Sequence, residues 1–422
     1  MSEMTTNSSD LTLSAVQRAY QASGQLAMLK GIDRDQGVGA MARALESAVE
    51  DILEANTLDL ETSREMAMPE LLVEWLKLTP ERLNSAIGIL KRLVELPDPT
   101  LRVINAPYQI ERSQTYCQLM PLGTIALIYE AFPELSAIAA GLCLKTGNSL
   151  ILRGGSEASH TNAAIYQTLQ LALDDAQLPG SCLEILHGES GSSIKDLVTK
   201  DRYINLVIPY GRPSLVKQVV DLATAPALKS AMGNCYLYWS ESGDLDLVRW
   251  AIIDSHASEP DPVNAIEKVL VSPWQKSMAL VRLFNSLQER GFELRGDATL
   301  AAEYPDQLTL ASTSEWGEAY LAKIVAFRRV EDIEDAIAWI NRYSSGHADC
   351  LMTESYPESR RFAQTIDSSL VYINTSPRFC RNPKSGDSVF LGMSNQKGYR
   401  RGLVSLETLT TLKQVVQGDR RF

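Results

Sequence analysis

Thiols, imidazoles and one glycine-rich turn carry most of the potential chemistry in this 422-residue chain. The six cysteines (Cys117, Cys143, Cys182, Cys235, Cys350, Cys380) include no CxxC pair. The four histidines (His160, His187, His256, His347) form no HExxH spacing. No metal site is therefore expected. Six thiols are also too few for a disulfide scaffold of this length. Taken singly, a cysteine more often serves as a small core hydrophobe than as a nucleophile. The turn Leu152-Arg153-Gly154-Gly155-Ser156-Glu157 follows a strand-like run and opens a helix-like one. Its backbone N–H groups are placed to face a phosphate; a tight strand-to-helix turn explains the same residues. Glu130 and Glu134, four apart in an apolar stretch, suit either paired acid–base work or the capping of a helix N-terminus. No GxGxxG, GxxxxGK[ST] or GxSxG pattern occurs.

Those side chains need elements to hold them. Residues 14–94 carry apolar positions at helical spacing, and Thr79-Pro80-Glu81-Arg82 reads as an N-cap with proline at the first helical position. Pro97, Pro99 and Pro107 end that pattern. Strand-like and helix-like runs then alternate: strands at 108–120, 124–129, 149–153, 183–186 and 204–208, helices at 134–143, 159–176 and 192–199. Lys145-Thr-Gly147-Asn148 closes one helix with glycine in the left-handed region. A second alternating segment covers 234–368. This order predicts an open α/β fold with crossover helices.

The formal net charge of −12 argues against a nucleic-acid or anionic-membrane binder. Residues 121–144 are apolar but interrupted by Glu130, Pro133 and Glu134, so a buried strand and helix are expected in place of a membrane span. The first ten residues have no basic start and no apolar run, which predicts a soluble cytoplasmic protein.

Longer motifs sharpen this. Pro121-Leu-Gly-Thr-Ile-Ala-Leu-Ile-Tyr-Glu130, Leu142-Cys-Leu-Lys-Thr-Gly-Asn148 and Ile151-Leu-Arg-Gly-Gly-Ser-Glu157 come first. Gly233-Asn-Cys235, Asn264-Ala-Ile-Glu267 with Leu270-Val271, and Ser345-Gly-His-Ala-Asp349 follow. Val371-Tyr-Ile-Asn374, Gln396-Lys397, Arg401-Gly402 and Leu406-Glu-Thr-Leu-Thr-Thr411 close the series. In this order the motifs resemble γ-glutamyl phosphate reductase (glutamate-5-semialdehyde dehydrogenase), of the aldehyde dehydrogenase superfamily.

The resemblance implies a dinucleotide-binding α/β domain over 1–104 and 121–233 and a catalytic-type α/β domain over 234–384. It also implies a small β oligomerisation element pairing 105–120 with the tail at 385–422, and hence a homo-oligomer. The implied reaction is NADPH-dependent reduction of L-glutamyl 5-phosphate to the semialdehyde in proline synthesis. A cysteine thiolate would attack the acyl phosphate and leave a thioacyl enzyme that accepts hydride. Arg153, Gly154 and Gly155 are the candidate NADP contacts.

Several positions depart from the family pattern. The family nucleophile directly precedes the Asn-x-x-Glu motif, and Val263 stands there. Glu134 stands where the family has an asparagine that would help hold the substrate; a carboxylate there is expected to repel a developing oxyanion. The family's Phe-Gly-Leu-Gly-Ala-Glu falls on Ser385-Gly-Asp-Ser-Val-Phe390, so the cofactor-gripping glutamate is lost. Tyr210 and Arg212 replace an arginine and a glycine in the Pro209 loop, and Glu259 reverses a charge ahead of Val263. Cys235 and Cys380 are the candidate substitute thiols, with Cys380 the stronger.

The expectation is a non-catalytic relative acting through a protein partner or metabolite, with an active reductase as the alternative. The tail cations Arg378, Arg381, Lys384, Lys397, Arg400 and Arg401, against the single acid Asp387, are a candidate docking surface for an acidic partner.

Overall fold

The computed structural model describes residues 8–110, 113–186, 193–257, 262–397 and 401–418. The chain forms two compact units. One comprises Met1–Lys229, Arg381–Leu391 and Leu403–Phe422; the other comprises Ser230–Cys380 and Gly392–Gly402. The tail therefore contributes to both.

The first unit starts with α1 (Ser8–Met28), α2 (Gly31–Ser47), α3 (Val49–Glu65), α4 (Glu70–Leu76) and α5 (Pro80–Glu95). Thr79 caps α5 by accepting from the Arg82 amide, with Pro80 at the first helical position. Next come β1 (Val103–Asn105), β2 (Ser113–Pro121), β3 (Thr124–Tyr129), α6 (Glu134–Thr146), β4 (Ser149–Arg153), α7 (Ser159–Asp175), β5 (Leu183–Ile185), α8 (Ile194–Val198), β6 (Leu206–Tyr210) and α9 (Pro213–Leu222).

Strands β5-β4-β3-β6 form a parallel sheet. All six residues of β3 are buried, which is why its sequence is an unbroken apolar run and not an alternation. Gly147 ends α6 at φ 79°, freeing the chain to turn into β4.

The second unit holds β7 (Cys235–Trp239), α10 (Leu245–Ser255), β8 (Ile266–Val271), α11 (Ser277–Gln288), β9 (Glu293–Gly296), α12 (Ala298–Glu303) and β10 (Thr309–Leu310). It continues with β11 (Ile324–Arg329), α13 (Ile333–Tyr343), β12 (Ala348–Met352), α14 (Tyr356–Thr365) and β13 (Leu370–Ile373). Its seven strands run parallel in the order β10-β9-β11-β8-β7-β12-β13. Trp239, Val269, Phe284 and Phe327 are fully buried in its main core.

After the short strands β14 (Met393–Ser394) and β15 (Gly402–Leu403), the tail ends in β16 (Thr410–Gly418), antiparallel to β2. With β1 these form a three-stranded sheet whose β16 is mostly exposed. Among the described residues no helix is long and apolar enough to cross a membrane.

Candidate functional site

Val263 lies in the turn that leads into β8, and its side chain is 1% exposed. The turn is held by residues from three of the sequence motifs. The Gly233 amide donates to the Val263 carbonyl at 2.9 Å, and His347 Nε2 lies 2.8 Å from the same oxygen. Asn264 Nδ2 donates to the Pro377 carbonyl at 2.7 Å. Glu267, buried on β8, accepts from the amides of Asn234, Tyr320 and Leu321. Burial raises the Glu267 pKa; the neighbouring Lys268 ammonium and these amides oppose that rise.

The Gly233–Asn234 turn runs through left-handed backbone at both residues, φ 70° and 54°. A side chain at Gly233 would also press against Ala319 and the Glu267 carboxylate. The motif residues 233, 234, 264, 267 and 347 thus converge on one turn. What they present at position 263 is a hydrocarbon side chain, with no lone pair to donate to an acyl carbon. The charge-reversing Glu259 lies outside the described residues.

Cys235 does not have the environment of a nucleophile. Cys235 is buried with its Sγ 3.4 Å from His347 Nε2, and burial pushes its thiol well above the ordinary value. Burial likewise pushes Cys182 up to about 12 and raises Cys143 and Cys350. Cys380 is exposed.

Asp349, on β12, is a second buried carboxylate of this unit. It accepts from the Tyr236 amide and the hydroxyls of Ser344 and Ser368, yet burial raises its pKa from 3.8 to about 7. A folded value above the unfolded one means stability that is present below about pH 4 and lost as pH rises to about 7. Asp349→Asn cannot ionise. Its stability relative to the parent is therefore expected to rise by about 1.4 kcal/mol per pH unit across that window and to level off above pH 7. Urea unfolding of both proteins at half-unit steps from pH 4.5 to 8.5 reads the slope; a flat difference refutes it.

In the first unit, Glu130 and Glu134 do not work as a pair. Each is bound to its own arginine. Glu134, in the first turn of α6, accepts two bonds from Arg82 Nη2 at 2.6 and 2.7 Å, with both side chains buried. The expected repulsion of an oxyanion by Glu134 is corrected accordingly: its charge is already neutralised by a guanidinium from α5. Glu130 accepts from the Arg212 amide at 2.5 Å and from its guanidinium at 2.9 and 3.1 Å. Neither side chain caps α6.

The glycine-rich turn also has a different reason from the one expected. A side chain at Gly154 would collide with Asn162, and one at Gly155 with the Glu157 carboxylate. The glycines make room for neighbouring side chains. The start of α7 behind them is filled by Asp59 of α3, which accepts from the amides of His160 and Thr161 at 3.0 and 2.7 Å and from the Thr161 hydroxyl. At the start of α9 the Glu130 carboxylate takes the Arg212 amide, so Arg212 does not leave that amide for a ligand. Both helix starts at the carboxyl edge of this sheet thus carry protein carboxylates where a dinucleotide pyrophosphate would need free amides. Two amides at the start of α7 and one at the start of α9 are thereby unavailable to that group. Arg153 ends β4, its guanidinium pKa lowered by burial. Tyr210 is buried edge-on to Phe132, and its hydroxyl accepts from Arg381 at 2.7 Å. Among the described residues no cluster of three metal-ligating side chains occurs.

Most of the described cations of the basic tail have a partner within the chain. Arg378 faces Asp254, Lys397 and Arg401 share Asp367, and Arg381 binds Tyr210 and the Leu391 carbonyl. Lys384 is exposed; Arg400 lies outside the described residues. Arg82, Asp59 and His347 carry more of the local architecture than the sequence indicated. Only His347 had a signal, its place in the Ser345-Gly-His-Ala-Asp349 motif.

The seven-stranded parallel sheet with crossover helices, the second parallel sheet and the antiparallel arm together make an aldehyde-dehydrogenase fold. Residues 1–248 match the model described as the aldehyde dehydrogenase family. A propionaldehyde dehydrogenase of Rhodopseudomonas palustris, only 14% identical, shares the fold with a TM-score of 0.68 over 97% of each chain. The crystal structure of the γ-glutamyl phosphate reductase of Thermotoga maritima is much more similar: TM-score 0.87 and 31% identity, covering 97% of this chain and 99% of that one. "Gamma-glutamyl phosphate reductase 2" of Synechocystis sp. is 58% identical over 409 residues, 97% of each chain. The reductase of Gloeobacter violaceus is 39% identical over 403 residues, 96% of each. The chain belongs to the γ-glutamyl phosphate reductase family of the aldehyde dehydrogenase superfamily.

Proposed function

We propose that this chain is a non-catalytic member of its family, acting in the cytoplasm through assembly or through binding of a protein partner or metabolite. One observation carries the reading. The turn that would present the family thiol is fully braced, and the residue it presents is Val263. Overall similarity follows the whole chain, whereas the thioacyl route depends on one sulfur atom. The test is turnover of the purified full chain with NADPH and L-glutamyl 5-phosphate, beside the Thermotoga maritima relative as the active control. No turnover above the uncatalysed rate is expected. Turnover at an ordinary enzyme rate, about 1–10³ s⁻¹, would overturn the reading.

A second reading has a specific support. The relatives' names, at up to 58% identity over nearly the whole chain, favour reduction of γ-glutamyl phosphate, for which the family resemblance implies NADPH as reductant. It needs a thiol from elsewhere in the chain, and Cys380 is the exposed one. Activity that disappears on Cys380→Ser would establish it.

NADP is the cofactor that the family implies. Asp59 and Glu130 occupy the two helix starts, so an NADPH fluorescence titration is expected to show no saturation up to about millimolar concentration, the weak end of specific binding. Saturation in the micromolar range would reinstate the glycine turn as a cofactor site. The β1-β2-β16 sheet supports a homo-oligomer, because Val103, Leu412 and Val416 lie exposed on it.

A further inference from the structure

The hydrogen positions around His347 follow from counting donors. The Val263 carbonyl, 2.8 Å from Nε2, can only accept. Ser345 Oγ, with one hydrogen, lies 2.8 Å from Nδ1, 3.0 Å from the Gly233 carbonyl and 3.3 Å from that of Asn234. Burial lowers the imidazole to about 4, so at neutral pH it carries a single N–H. With that hydrogen on Nδ1, the Nε2 lone pair would face a carbonyl lone pair at hydrogen-bond distance. With it on Nε2, the Val263 carbonyl gains a donor, and Ser345 satisfies Nδ1 by donating its hydroxyl hydrogen. The second arrangement gives a donor to the shortest acceptor contact, 2.8 Å to Val263, and leaves only the longer approaches of Ser345 Oγ to the Gly233 and Asn234 carbonyls without a hydrogen; in the first, the weak Cys235 thiol donor 3.4 Å from Nε2 would not relieve the Val263 contact.

The same carbonyl accepts from the Gly233 amide, so both of its lone pairs are used. Its two donors come from the turn before β7 and the segment before β12, on strands that neighbour each other in the sheet. The backbone at 263 is therefore clamped from outside its own turn, independently of which side chain stands there.

We propose that His347, fixed as its Nε2–H tautomer by Ser345, is the positioning residue of the turn that presents residue 263. The proposal rests on the reading of 263 as the family's nucleophile position. It explains why a histidine-bearing motif persists beside a position that has lost its thiol: the clamp acts on the main chain and does not depend on the side chain.

The test uses the full chain labelled with ¹⁵N-histidine. Long-range ¹H–¹⁵N spectra at neutral pH, with the signal assigned by through-bond correlation to the His347 backbone amide, should show the Nε2–H pattern. An Nδ1–H or imidazolium pattern overturns the proposal. Hydrogen exchange gives the second readout. His347→Asn, too short to reach the carbonyl, should speed exchange of the Gly233 amide about fivefold, the loss of one neutral hydrogen bond. His347→Gln, whose amide nitrogen reaches the Nε2 position, should stay within about twofold of the parent on the same scale. Equal effects of the two variants, or none from either, overturn it. Should both variants fail to fold, the tautomer of the parent still decides. None of these readouts needs turnover, so an active parent protein would remove the non-catalytic reading without touching this one.

Discussion

Val263→Cys is expected to open residue 263 to acylation by L-glutamyl 5-phosphate. The introduced thiolate would attack the γ-carbonyl carbon, the C–O bond to phosphate would break, and inorganic phosphate would leave with the electron pair. A glutamyl thioester would remain on residue 263. The turn that would carry the sulfur is already held by the Gly233 amide, His347, Asn264 and Glu267, so the substitution adds an atom to a built position. Removing the nucleophile from an enzyme costs up to about 10⁶ in rate, and supplying one here should raise acylation by about 10⁴-fold or more over the parent. Mass spectrometry of the peptide spanning 263 reads the adduct directly and separates it from any label on Cys380. NADPH consumption should stay at the background rate, because the helix starts that would seat the pyrophosphate are taken by Asp59 and Glu130. Failure to acylate would mean that the brace around 263 is insufficient and that substrate-binding residues elsewhere have drifted too.

The parts of this molecule that sequence made legible are those whose cause is local. β3 announced itself because a strand covered on both faces must be apolar throughout, and the α5 start because Thr79 and Pro80 are adjacent. The turn at 263 was legible as a motif because Asn264 and Glu267 sit within one stretch of chain. What escaped were partners distant in sequence. Asp59 reaches the start of α7 across about a hundred residues, and Arg82 reaches Glu134 across 52. No period or spacing connects such residues, so the glycine turn looked like an open phosphate cradle, and Glu134 looked like an unpaired charge. The tail shows the same limit. A run of cations reads as a free surface until Asp254 and Asp367, far upstream, are seen to bind it. Charges read along the chain give composition; their neutralisation is a property of the fold.

The Arg82–Glu134 pair turns that point into the largest expected loss of stability. Glu134→Asn restores the residue that the family pattern has at this position, and by sequence alone it should be benign. The structure predicts the opposite. Arg82 is buried against α6, and Nη2 donates to both Glu134 oxygens and to the Trp75 carbonyl, while Nη1 donates to the Lys77 carbonyl. Its Nε already lacks a partner. An asparagine is shorter and neutral, so the guanidinium would keep its desolvation cost and lose its counter-ion. Breaking a buried pair from one side costs about 3–5 kcal/mol, and that is the expected loss for Glu134→Asn in urea unfolding. Arg82→Met should cost at least as much, since it strands the Glu134 carboxylate and two carbonyls together. The double variant Arg82→Met/Glu134→Asn should be more stable than the sum of the singles predicts, with a coupling of about 2–3 kcal/mol, because it removes both charges at once. Additive losses would mean that the two side chains do not sense each other. In that case the Glu134 charge would be free to repel a developing oxyanion, as the sequence suggested.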